Sequence, residues 1–202
     1  MIFLVKIISF EGSIGVGKTT LTNYFSKELG IKKILEKYEI NPFLKEFYNG
    51  DSTINFETEI TFILIHYSQL KNILKSSHES LFLADFSIEK DLIYAELNLE
   101  GEELIIFKNL YNYIINKVGV PYMVIYLNLS FKKLKQRILK RGREFEMNTD
   151  FNYFKELNEK MKNFYKSRTK SKIWFINIDK LDFNPNNTIL KQIRSKITNE
   201  IQ

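Results

Sequence analysis

The stretch that most limits what this chain can become is GSIGVGKT, Gly12 to Thr19. It follows the spacing G-x-x-x-x-G-K-[ST] between an apolar run, IFLVKIISF at 2–10, and KTTLTNYFSKEL, which predicts a helix over 18–29. Strand, glycine-rich loop and helix in that order make a cradle for phosphate. Glycines let backbone N–H groups turn inward around the oxygens, and the helix N-terminus adds positive potential. The expected nucleotide contacts are Gly12, Ser13, Ile14, Gly15, Val16, Gly17, Lys18, Thr19 and Thr20. Lys18 can reach the β- and γ-phosphates, and the Thr19 hydroxyl can ligate Mg²⁺. The loop says what is held, not what is done with it.

Apolar runs at 2–10, 32–38, 81–86, 122–129 and 172–178 predict strands, several of them continuous enough to be covered on both faces. Helical spacing fills 18–29, 43–49, 55–75, 102–118, 130–141, 151–168 and 187–200. That alternation predicts an α/β fold, a parallel sheet with helices on both faces, as one domain over 1–202. There is no cysteine, and His66 and His78 are too few for a histidine metal site. The opening MIFLVKIISF reads as a buried strand and not a signal peptide, and no apolar run approaches the ~20 residues of a membrane span. The expected address is the cytoplasm. The net charge of +6 suits phosphate-bearing ligands, but the lysines are spread out and no basic tract points to nucleic acid.

Four further blocks, in order along the chain, resemble the deoxynucleoside kinase family of bacterial type. In EKYEINPFLKEFY, Glu36 matches the glutamate that serves as base for the 5′-hydroxyl, and Tyr48 the tyrosine that bonds the deoxyribose 3′-hydroxyl. Glu39 is a rival for the base. In FETEITFILIHYSQLK, Glu59 stands where the family has a glutamine on the base edge. A carboxylate only accepts hydrogen bonds, which favours a purine with guanine first. His66 faces the same way two turns on and reads as a satisfied core histidine, with a place in the pocket lining as the alternative. In LFLADFSIEKDLIYAELNL, Asp85 matches the Mg²⁺-site carboxylate, while Asp91 and Tyr94 match base-pocket positions. Phe86 replaces the family's arginine, and Lys90 lies a turn further on. In QRILKRGREFE, Arg137, Arg141 and Arg143 resemble a lid over the phosphates at about 137–150, in which Glu146 reaches the sugar. The segment Asp182 to Asn187 resembles the loop around the donor adenine.

The resemblance implies a P-loop kinase fold with a five-stranded parallel sheet and an arginine-rich lid. It implies phosphoryl transfer from ATP or another triphosphate, with Mg²⁺, to the 5′-hydroxyl of a deoxynucleoside, guanine or adenine favoured. Lys18, Glu36, Arg137, Arg141 and Arg143 carry the chemistry in this reading. A homodimer is expected, with FILIHYSQL or LIIFKNLYNYIINKV as the apolar face. The alternatives are a monophosphate kinase of the thymidylate kinase type and a nucleotide-binding protein without transfer activity. A polynucleotide 5′-kinase would need a basic, aromatic groove that the sequence does not display.

Overall fold

In β4 (Met123–Asn128), side chains alternate between two cores. Met123, Ile125 and Leu127 enter one, Val124 and Tyr126 the other, and all five are buried. The computed structural model describes residues 5–76, 81–143 and 149–200. Four other strands pair in parallel with β4 or with one another: β1 (Lys6–Glu11), β2 (Lys32–Ile34), β3 (Leu81–Ala84) and β5 (Lys172–Asn177). Their order in the sheet is β2-β3-β1-β4-β5. Ile8 pairs with both Leu83 and Met123, which puts β1 and its loop in the middle.

One core takes α1 (Lys18–Leu29), α6 (Phe131–Arg141) and α8 (Thr188–Thr198). Phe10 of β1 and Phe25 of α1 are wholly buried with rings 6.1 Å apart. Burying such a side chain contributes roughly 2–3 kcal/mol, so packing more than helix propensity holds α1 to the sheet. The other core takes α3 (Asn55–Ser76), α4 (Ile88–Asn98), α5 (Gly101–Val118) and α7 (Phe151–Ser167). A short α2 (Leu44–Tyr48) follows a 3₁₀ turn at Tyr38–Ile40. The α/β class and the five-stranded parallel sheet agree with the sequence reading.

Two elements differ from it. The second strand stops at Ile34 instead of running to 38. It is an edge strand, and beyond it the Glu36 N–H donates to the Asp85 carboxylate (2.8 Å) instead of to a strand neighbour. The helix at Ile88–Asn98 lies outside the predicted set. Ile88, Glu89, Lys90, Asp91, Leu92 and Ile93 are all buried, so charges occupy positions where an amphipathic pattern shows solvent.

Candidate active site

The phosphate loop is shaped by sterics. Gly12 has φ 138°, and a Cβ there would sit 2.8 Å from the Leu127 carbonyl oxygen of the neighbouring strand. Gly17 has φ 106° and precedes α1, whose N-terminus carries no side-chain cap. Its first N–H groups therefore stay open to an anion. The Lys18 ammonium lies back across the loop, donating to the carbonyls of Gly12 (2.8 Å) and Ser13 (3.2 Å). Burial and the nearby Lys90 lower the Lys18 pKa. Arg137 of α6 donates to the Val16 carbonyl at 2.7 Å.

This loop opens on a cavity of about 420 Å³ at the C-terminal edge of the sheet. Ile14, Gly15, Gly17, Lys18, Thr19 and Thr20 line one side. Gly12, Ser13 and Val16 lie behind it and are buried. Glu36, Tyr48, Glu59, Asp85, Asp91, Tyr94, Arg137, Arg141 and Arg143 line the same cavity, although they come from six separate segments. Glu146 lies outside the described residues. Gly142 ends α6 with φ 63°, after which the Arg143 guanidinium sits 4.4 Å over the Tyr38 ring. The segment Asp182 to Asn187 forms a turn closed by its own bonds, Asn184 N–H to Asp182 at 3.0 Å, and Asn187 caps α8.

The oxygens at the mouth of the loop suit a hard cation. The Thr19 hydroxyl donates to Asp85 Oδ2 at 2.6 Å, and Asp85 Oδ1 takes the Glu36 N–H. A hydroxyl and a carboxylate beside incoming phosphates form the usual protein share of a Mg²⁺ site, so these residues fit that ion.

Glu36 stands between this mouth and the deeper part of the cavity. Its Oε1 accepts from the Lys90 ammonium at 2.5 Å and faces His66 Nε2 at 3.1 Å. Burial pushes the carboxyl upward, but Lys90 and then His66 outweigh it and hold it well below the usual carboxylate range. His66 is wholly buried, and its Nδ1 lies 2.8 and 2.9 Å from the two oxygens of Asp91. Burial opposes charge on the imidazole, yet Asp91 and Glu36 carry its pKa up to about 9. The core-histidine reading is therefore incomplete: His66 is buried and also lines the cavity.

Burial bears on the acceptor-only expectation for Glu59. Burial pushes its carboxyl up to about 8, so at neutral pH it holds a proton and can donate as well as accept. One oxygen takes the Asn98 amide at 2.7 Å. Asp91 lines the cavity, but both of its oxygens are turned to His66. Phe86, 1% exposed, stacks on the His66 ring at 4.5 Å. Motif reading did not count Lys90 and His66 among the site residues, and weighed them only as a stand-in for the arginine missing at Phe86 and as an alternative pocket-lining residue. Their only sequence signal was position, one turn beyond Asp85 and two turns beyond Glu59.

Comparison with known proteins gives the family and the fold. The sequence profile of the family described as Deoxynucleoside kinase matches residues 8–202. Deoxyguanosine kinase of Bacillus subtilis is 35% identical over 154 residues, covering 74% of this chain and 73% of its own. Deoxyadenosine/deoxycytidine kinase of the same organism is 28% identical over 204 residues, 97% of this chain and 93% of its own. A solved structure of deoxyadenosine kinase from M. mycoides with bound dATP superposes with a TM-score of 0.82. It is 25% identical and covers 96% of this chain and 99% of its own.

Proposed function

The chain belongs to the deoxynucleoside kinase family, and from that membership we infer that it moves the terminal phosphoryl group of ATP, or another nucleoside triphosphate, to the 5′-hydroxyl of a purine deoxynucleoside. The observation that carries this reading is Glu36. It is an ionised carboxylate held on the wall shared by the phosphate loop and the pocket of Tyr48, Glu59 and Tyr94. A nucleoside in that pocket brings its hydroxyl to Glu36 and its sugar to Tyr48.

Lys18 and the loop amides hold the donor's phosphates once the ammonium leaves the loop carbonyls. Thr19 and Asp85 would hold Mg²⁺, which when bound neutralises phosphate charge. The 5′-oxygen bonds to the γ-phosphorus as the bond to the β–γ bridging oxygen breaks, and the hydroxyl proton passes to Glu36. Arg137, Arg141 and Arg143 stabilise charge spread over the transferring oxygens, a role that guanidinium geometry serves well. Glu146 would close on the sugar from the lid at about 137–150. Catalysis is then mostly positioning and electrostatics. We treat 1–202 as one such domain, working in the cytoplasm where its nucleotide donor is found. No helix among the described residues is long and apolar enough to cross a membrane.

The test is product formation from ATP·Mg²⁺ with the four deoxynucleosides and the four deoxynucleoside monophosphates in parallel. The expected products are monophosphates of deoxyguanosine and deoxyadenosine. Diphosphates made only from monophosphates would move the acceptor one phosphate outward and overturn the reading. A homodimer is part of the proposal, because Leu64 of α3 and Ile105, Ile106 and Tyr113 of α5 expose 46–61% of their surface on two packed helices. Sedimentation is expected to give a dimer at micromolar concentration, and a monomer there would refute it.

A further inference from the structure

Glu36 lies outside the strand ladder, yet its segment is held from every side. The Gln69 amide of α3 donates to the Leu35 carbonyl at 2.8 Å, and the Glu36 N–H donates to Asp85 at 2.8 Å. Oε1 alone meets both the Lys90 ammonium, from α4, and the His66 ring, from α3. Oε2 carries no hydrogen bond among the described residues. Two donors from two helices fix both the direction and the plane of a carboxylate, as one donor cannot. The His66 ring is fixed in turn, with Nδ1 on Asp91 and its faces stacked on Phe62 (5.9 Å) and Phe86 (4.5 Å).

We propose that Lys90 and His66 are the positioning residues of the transfer reaction, together occupying Oε1 of Glu36 so that Oε2 alone is presented to the acceptor hydroxyl. This rests on the kinase reading above. It also gives Phe86 a part: the position offers no cation, but its ring stacks on His66 while Lys90 supplies the charge from the first turn of α4. A carboxylate aimed before substrate arrives spends no reorganisation at the moment of reaction. The titratable neighbours of His66 are Asp91 and Lys90 on α4, Glu36 beyond β2 and Glu59 on α3 itself. Lys90 faces Glu36, Glu11 and Asp91, and the like-charged Lys18.

If His66 acts as an imidazolium, its contribution is present below its pKa of about 9 and is lost as pH rises through that value. The experiment uses Lys90→Met, Lys90→Arg, His66→Gln and the double variant Glu36→Gln/Lys90→Met. Readouts are kcat, KM and the pH profile, with donor nucleotide affinity measured separately. Lys90→Met is expected to lower kcat by about 30- to 100-fold with donor affinity unchanged, and Lys90→Arg to restore part of the loss. The wild type is expected to lose kcat above pH ~9, and His66→Gln to be about tenfold slower and to lack that fall. The double variant should be no slower than Glu36→Gln alone, since Lys90 acts through that carboxylate. The double variant also leaves no buried Glu36 carboxylate without its ammonium, so it decides the question even where Lys90→Met fails to fold. A kcat within twofold in Lys90→Met, multiplied losses in the double variant, or an unchanged alkaline fall in His66→Gln would each overturn the proposal. A wild type inactive on every deoxynucleoside overturns the kinase reading as well, whereas an active wild type with indifferent variants overturns this inference alone.

Discussion

Replacing Glu36 by glutamine is expected to lower kcat by about 10³-fold while KM and donor nucleotide affinity change less than threefold. The substitution is nearly isosteric, and the amide oxygen can still accept from Lys90 and His66, which now meet at Oε1. What is lost is the negative charge and the basic lone pair of the second oxygen. A neutral amide neither draws the hydroxyl proton nor orients the nucleophile as an acceptor. The carboxylate is held ionised by its two partners, so it is a weak base before substrate binds. Its larger share is therefore to orient the hydroxyl and take the proton late, as the new phosphorus–oxygen bond forms. Steady-state kinetics on the preferred deoxynucleoside checks this. Activity retained in Glu36→Gln and lost in Glu39→Gln would transfer the role to Glu39, which lines the same cavity but is exposed on the 3₁₀ turn.

Replacing Lys18 by methionine should lower kcat/KM for the donor by about 10³-fold without lowering the melting temperature. The activity loss follows from removing the one ammonium that sits within the phosphate loop. The stability argument has the opposite sign. Burial and the neighbouring Lys90 depress the Lys18 pKa in the folded protein. A lysine whose folded pKa is depressed binds its proton less well than in the unfolded chain, so it costs stability at all pH values below the ordinary lysine range. Methionine keeps the packed stem and removes that cost, although two loop carbonyls lose their donor. Calorimetry alongside kinetics separates the two effects. A melting temperature several degrees lower would mean that the ammonium chiefly holds the loop together, not the nucleotide.

Such opposed effects follow from how the cavity is built. Oppositely charged groups meet in a largely buried space, where each is costly alone and tolerable in company. Lys90 is 7% exposed, Asp91 2% and His66 wholly buried, which leaves little solvent to screen them. Glu59, without a cation of its own among the described residues, takes the other course and keeps a proton.

Much of this molecule was legible before any coordinates. GSIGVGKT needs only local spacing, because a strand, positive-φ glycines and a helix N-terminus are all short-range features. Five parallel strands were visible as apolar runs for the same reason, and Arg137 and Arg141 shared a face by helical geometry alone. Helix α4 was not visible, since Glu89, Lys90 and Asp91 are charged residues in buried positions and erase the amphipathic signal. The contact of His66 with Glu36 spans 30 residues of chain, and that of Lys90 with Glu36 spans 54. No local pattern encodes such distances; they exist because α3 and α4 pack on the same side of the sheet edge. Protonation of Glu59 was equally out of reach, for it depends on how much water the finished cavity excludes. Sequence alone determined the phosphate loop and the layered sheet, through interactions within a few residues. The charge state and aim of the groups that do the chemistry were decided only by the packing of distant segments into one poorly hydrated space.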